Sequence, residues 1–204
     1  MRWNTMVGRG WRGPWGLLAL VFLAAATVAC TDSEKFAAVT VSAPAPAFTL
    51  HSGGGQPVSL ADLRGKVVVL YFGYTHCPDI CPTTLSTYAR ALDRLSPDER
   101  ARVSVVMVSV DPARDTPDIM AKYVAHFAPD FTGLSGSQAE VDAVIQAWDL
   151  TVECGERAAD GSYVVGHPAH SYVLDRSGRQ RLIVPHDATP DTVAADLKLL
   201  LKKG

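Results

Sequence analysis

The chain has 204 residues, of which 48% are apolar, 20% charged and 8% aromatic, and it carries a formal net charge of −2. That composition excludes a disordered chain, a collagen and a repeat array, and the length fits about one domain. The near-neutral charge excludes the basic footprint of a nucleic-acid binder, and no apolar run reaches the roughly 20 residues that each span of a polytopic membrane protein needs.

At the start, Arg2, Arg9 and Arg12 precede an uncharged run from Trp15 to Ala29, a positive n-region followed by a short h-region. The run ends Thr27-Val28-Ala29-Cys30, which resembles a bacterial lipoprotein signal, in which the new terminal cysteine is lipidated after cleavage. Thr27 departs from the aliphatic residue usual there. Residues 1–29 are read as a signal peptide and Cys30 as the lipidation site, with a plain secretory signal or an uncleaved anchor as alternatives. In each version the rest of the chain works outside the cytoplasm, on the periplasmic face of the membrane. Losing residues 1–29 removes three arginines and no acids, so the charge of −2 becomes −5. Residues 30–47, rich in Ala, Ser, Thr and Pro, read as a tether, and the folded domain is expected over 48–204.

Phe48 to His51 and Gln56 to Leu60 flank Gly53-Gly54-Gly55, the pattern of a hairpin, and Val67 to Phe72 is a β-branched run suited to a buried strand. Leu85, Tyr88, Leu92 and Leu95 repeat at helical spacing, and Val103 to Val110 reads as a second buried strand. Thr116-Pro117-Asp118 supplies an N-cap, an N1 proline and a first-turn acid for a helix bearing Met120, Tyr123, Val124 and Phe127. Ser137 and Glu140 form a capping box ahead of Val141, Val144, Ile145 and Trp148. Ser171 to Leu174 and Gln180 to Val184 flank the Asp175-Arg176-Ser177-Gly178 turn as an antiparallel hairpin. Thr189-Pro190-Asp191 opens a last helix that buries Val193, Leu197, Leu200 and Leu201, with Lys202 and Lys203 at its C-terminus. The order β-α-β-α then β-β-α, with a cysteine pair straight after the first core strand, indicates an α/β, thioredoxin-like fold with an added N-terminal β-hairpin.

The cysteine pair lies in Tyr71-Phe72-Gly73-Tyr74-Thr75-His76-Cys77-Pro78-Asp79-Ile80-Cys81-Pro82. Because Pro82 disfavours helical geometry at Cys81, the regular helix is expected to begin at Pro82, with Cys77 to Cys81 as an irregular turn. Both sulfurs then sit near a helix N-terminus, whose partial positive charge favours thiolate, the form that attacks disulfides and binds metals. Spacing alone permits a shared metal ion or a disulfide. A structural disulfide would close a very short loop and stabilise little. Thioredoxin-like redox enzymes place two residues between their cysteines and this chain places three; peroxiredoxins place a threonine three residues before the reactive cysteine, and Thr75 lies two before Cys77.

Phe72-Gly73-Tyr74-Thr75-x-Cys77-Pro78-Asp79-x-Cys81-Pro82 resembles the signature of the Sco (SenC-like) copper-binding proteins. Ser109-Val110-Asp111-Pro112-x-Arg114-Asp115-Thr116-Pro117 resembles the second motif of that family, and Tyr163-Val164-Val165-Gly166-His167 with Tyr172-Val173-Leu174-Asp175 its third. The resemblance implies a metallochaperone that binds one copper ion, Cu(I) or Cu(II), through Cys77, Cys81 and a histidine. It also implies that the protein helps build the copper A centre of cytochrome c oxidase, with subunit II of that enzyme or a related copper protein as partner. Soft thiolates suit Cu(I), and two thiolates with one imidazole satisfy a trigonal ion, whereas zinc would want a fourth ligand that no obvious residue supplies.

Six histidines compete for the third place: His51, His76, His126, His167, His170 and His186. In the family the ligand lies five residues before the tyrosine of the following strand, which selects His167 over its loop neighbour His170. Gly166 and Pro168 depart from residues that many members carry there. His76 is expected exposed beside Cys77, and His51, His126 and His186 at the surface or at strand ends. Asp79 is a helix-start acid or a hydrogen-bond partner near the metal; Asp111 is a turn former or, again, such a partner. Cys154 is expected buried as a small apolar residue. Two functions stay open, copper delivery and a membrane-anchored thiol-disulfide reductase using Cys77 and Cys81, with a copper or redox sensor as a third.

Overall fold

The structure, a computed structural model, describes residues 35–203; the signal, Cys30 and the start of the tether lie outside the described residues. In chain order the elements are β1 (Val39–Pro44), β2 (Thr49–His51), β3 (Pro57–Ser59), β4 (Val67–Gly73), α1 (Ile80–Leu92), α2 (Pro97–Arg100), β5 (Val103–Ser109) and α3 (Pro117–Ala125). There follow β6 (Thr132–Leu134), α4 (Gln138–Ala147), β7 (Glu153–Cys154), β8 (Val165–Gly166), β9 (Ser171–Leu174), β10 (Arg179–Val184) and α5 (Pro190–Lys203).

Every residue of β4 and β5 is buried, as expected of continuous β-branched runs covered on both faces. They pair in parallel from Val67 opposite Val103 to Gly73 opposite Ser109, and β6 extends the parallel set. On the other side of β4 lies the antiparallel β9–β10 hairpin, so the six-stranded sheet runs β1-β10-β9-β4-β5-β6. The hairpin turn places Gly178 at φ 84°, where a Cβ would be strained, and Asp175 accepts from the backbone of Ser177 and Arg179. The β2–β3 hairpin forms a sheet of its own. This is the expected thioredoxin-like α/β architecture with its added hairpin.

The helix caps fall where the sequence puts them. The Thr116 hydroxyl accepts from Ile119 N at 3.3 Å, and the Ser137–Glu140 capping box is complete. Phe72 on β4 packs against Trp148 beyond α4 at 5.4 Å and against Tyr172 on β9 at 6.0 Å, joining the parallel half of the sheet to the antiparallel half.

Two expectations need correction. The tether read over residues 30–47 does not reach Ala47: Val39–Pro44 is an edge strand paired with β10, Val39 opposite Ile183 and Pro44 opposite Arg179. Ahead of it, both oxygens of the buried Asp196 carboxylate on α5 accept backbone N–H groups, from Ala37 at 2.7 Å and Ala38 at 2.8 Å. A partner more than 150 residues away in sequence thus orders a segment whose composition reads as flexible. Second, α1 starts at Ile80 rather than at Pro82. Proline fits inside the first turn because those N–H groups have no intrahelical acceptor.

Replacing Asp196 with alanine orphans the buried Ala38 N–H and the partly buried Ala37 N–H and is expected to destabilise the domain by about 2 kcal/mol, measured by urea unfolding. An unchanged midpoint would show that residues 37–38 contribute nothing to the fold.

Candidate metal centre

Three segments bring the site together. The turn after β4 carries Cys77, the first turn of α1 carries Cys81, and the loop between β8 and β9 carries His167. Among the described residues, Cys77, Cys81 and His167 form the one group of at least three histidine, cysteine or acidic side chains able to share an ion, with donor atoms all within 4.8 Å of one another. A trigonal ion with bonds of about 2.0–2.3 Å holds its donors roughly 3.5–4 Å apart, so this group needs only small side-chain movements to close on one. His170 stands outside the group, its ring edge-on to Tyr172 at 4.9 Å.

The two cysteines are unequal. Cys81 is fully buried, and its sulfur receives the Tyr71 hydroxyl at 3.4 Å. Cys77 is half-buried, and its sulfur accepts the Cys81 backbone N–H at 3.4 Å. Burial pushes the Cys81 thiol up to about 12, only partly opposed by the Tyr71 hydrogen bond. The thiolate expected from the helix N-terminus is therefore not met at Cys81: desolvation outweighs the helix field until a cation takes the place of the proton.

His167 turns its Nε2 toward the sulfur of Cys81. Its Nδ1 lies 3.0 Å from the carbonyl oxygen of Pro168, which can only accept, so Nδ1 carries the hydrogen. Nε2 lies 3.5 Å from Cys81 Sγ. Burial lowers the pKa of the ring from its ordinary value of 6.5, keeping the imidazole neutral at neutral pH. Tyr71 and Tyr74 wall the ring edge-on at 6.0 and 5.6 Å.

Two residues of the site were not singled out in the sequence, Tyr71 standing in the core-strand run and Gly73 only within the family-like signature. Tyr71 read as core, yet its hydroxyl serves Cys81. Gly73 is required by close approach: a Cβ there would lie 2.7 Å from Cys81 Sγ and 3.0 Å from both Met107 Cε and Tyr71 Cε1.

The other candidates separate. Asp111 is buried, hydrogen-bonded to Tyr163 and Arg114 rather than to the donor group. Asp79 is exposed at the N-cap and its carboxylate makes no capping hydrogen bond. His76 is exposed, with Nδ1 3.0 Å from the Thr75 hydroxyl. His51 pairs with Glu140 at 3.3 Å, the His126 ring bonds the Lys122 carbonyl, and His186 is exposed. Cys154 is a correction: it is exposed on β7, because among the described residues that two-residue strand pairs with β8 alone.

Comparisons with known proteins show the family and the fold. A family model described as SCO1/SenC matches residues 38–202. The mitochondrial SCO2 homolog of Mus musculus is 37% identical over 132 residues, 64% of this chain and 52% of the relative. The chain spans about half the length of the first curated relatives it matches. The solution structure of apo Sco1 from Thermus thermophilus superposes with a TM-score of 0.76 at 38% identity, covering 83% of this chain and 99% of that one. The structure of Bradyrhizobium japonicum ScoI with copper bound gives 0.71 at 37% identity, covering 78% and 99%.

The unequal burial predicts unequal thiols. In a Cys154→Ser background, iodoacetamide at pH 8 is expected to modify Cys77 first and Cys81 about tenfold or more slowly, read by peptide mass spectrometry; equal rates would contradict it. Gly73→Ala should displace the Cys81 sulfur and weaken Cu(I) binding by about tenfold or more in a chelator competition, with unchanged affinity the contrary result.

Proposed function

The chain belongs to the SCO1/SenC family, and from that premise we propose that it is a copper metallochaperone holding one copper ion on Cys77, Cys81 and His167 for assembly of the copper A centre of cytochrome c oxidase. The observation that carries the reading is the convergence of two sulfurs and one imidazole nitrogen within 4.8 Å. The donor set fits copper: two soft thiolates select Cu(I), and the neutral imidazole supplies the harder donor that Cu(II) favours. Copper is here the cargo. Loading takes the proton from Cys81, whose thiol holds it to about 12 when no metal is bound, so copper displaces it directly. Release goes by way of Cys77, the half-exposed sulfur that an acceptor thiolate can reach.

The partner in this reading is subunit II of the oxidase or a related copper protein. Residues 1–29 are a lipoprotein signal and Cys30 the anchor holding the domain at the extracytoplasmic face. No helix among the described residues is long and apolar enough to cross a membrane.

The accessible and buried sulfur pair also favours a second reading, a thiol-disulfide reductase. The Cys77 thiolate attacks a client disulfide and releases one client thiolate; Cys81 then attacks the mixed disulfide and releases the second. Two electrons pass to the client, and Cys77–Cys81 is left as a disulfide that an external dithiol must reduce. This chemistry does not use His167.

An anaerobic Cu(I) titration of residues 31–204 against a competing chelator distinguishes the two. Copper delivery expects one ion per chain, weakened about tenfold or more by each of Cys77→Ser, Cys81→Ser and His167→Ala, while His167→Ala retains dithiol reactivity. Wild-type binding no tighter than that of the variants would leave the reductase.

A further inference from the structure

The cysteine-bearing turn and the segment that leads through β8 into the histidine-bearing loop are far apart in sequence, and both are gripped by a third segment, the turn from Asp111 to Asp115 that follows β5. On the cysteine side, the fully buried Asp115 carboxylate accepts from Thr75 N at 3.0 Å, from the Thr75 hydroxyl at 2.5 Å and from the Ser109 hydroxyl at 2.8 Å. On the histidine side, the Arg114 guanidinium stacks on the Tyr163 ring at 3.5 Å and donates to the Tyr163 carbonyl at 2.9 Å. The Tyr163 hydroxyl donates to Asp111 Oδ1 at 2.7 Å, and the other Asp111 oxygen takes Arg114 Nε. The turn is closed within itself, because Arg114 and Asp115 both donate their backbone N–H to the Asp111 carbonyl.

We propose that the Asp111–Asp115 turn is the bracket that holds the two ligand-bearing segments at metal-binding distance, with Arg114 and Tyr163 as positioning residues that act through His167. The inference rests on the copper reading above. Arg114 suits the role and lysine would not, since a planar fork stacks on the ring while bonding a carboxylate and a carbonyl. The backbone then carries the constraint onward: Tyr163 lies four residues before His167, and between them Val165 N donates to the Tyr74 hydroxyl at 3.2 Å, the same tyrosine whose ring walls the imidazole. The bracket should matter most for Cu(II), which favours the harder imidazole donor, and less for Cu(I), to which the two soft thiolates contribute more of the binding.

The test is a double-mutant cycle on the full chain with Cu(II) and Cu(I) as separate probes. Arg114→Ala and Arg114→Lys are each expected to weaken Cu(II) by about tenfold and to change its sulfur-to-copper charge-transfer band, with a smaller loss for Cu(I). Arg114→Ala combined with His167→Ala should bind Cu(II) no more weakly than His167→Ala alone. Tyr163→Phe, which keeps the ring and removes only the hydroxyl bond, should give a smaller loss, and in metal-free Arg114→Ala the amides of residues 163–167 should exchange faster with solvent. Unchanged Cu(II) affinity and spectrum in a folded Arg114→Ala protein, or losses that add fully in the double variant, would overturn the bracket. A wild-type chain that binds neither copper ion would sink the copper reading itself.

Discussion

A carboxylate with no exposure to solvent sits at the crossing of the strand ends. Asp115 holds Thr75 ahead of the cysteines and Ser109 at the end of β5, and its backbone carbonyl accepts the hydroxyl of Ser135 beyond β6. Taking an ionised carboxylate out of water is costly unless its acceptor sites are filled. Here they are filled by groups from segments that must converge for the site to exist. The constraint works in both directions: the fold supplies the donors that make the buried carboxyl group tolerable, and those hydrogen bonds fix where the turn after β4 leaves the sheet. Cys77 is two residues further on.

From that fixed point the two sulfurs acquire their different characters. Cys81 is drawn under the sheet by the helix start, in the space left by the missing side chain of Gly73, and the Tyr71 hydroxyl satisfies it. Cys77 stays at the rim. An ion held between them is anchored on a sulfur that solvent does not reach and exposed through one that it does. That division is what a carrier needs in order to hold its cargo and still surrender it. The same division makes an attacking and a resolving thiol, which is why the imidazole, and not the cysteines, separates copper delivery from disulfide exchange.

Much of this was legible in the residues because the signals were local. The β-branched runs of β4 and β5, the Thr116 cap and the Ser137–Glu140 box depend on neighbours a few residues away. The three candidate ligands were legible through motifs, and the structure brings those side chains together. What escaped depends on distant contacts. The strand at Val39–Pro44 carries a short Val39-Thr40-Val41-Ser42-Ala43 alternation masked by the Ala-, Ser- and Pro-rich composition around it, and it is ordered by β10 and by Asp196 near the opposite end of the chain. The helix-terminal field on Cys81 could be read from position, but the burial that overrides it could not. Cys154 read as a small apolar residue, and the short β7–β8 pair leaves it uncovered. The role of Arg114 was hidden because its partner Tyr163 lies 49 residues further along.

The margins of the large sheet carry a consequence of their own. One is the three-residue β6; the other is β1, whose pairing slips register between Thr40 and Ala43 and which ends in Pro44, a residue with no N–H to offer. Short, bulged or proline-bearing borders are poor templates for adding a strand. Association with another molecule by extension of this sheet is thereby discouraged, whether that molecule is a second copy or a client. Recognition is left to the loops at the end where β4 finishes and β9 begins, which is also where the sulfurs and the imidazole lie.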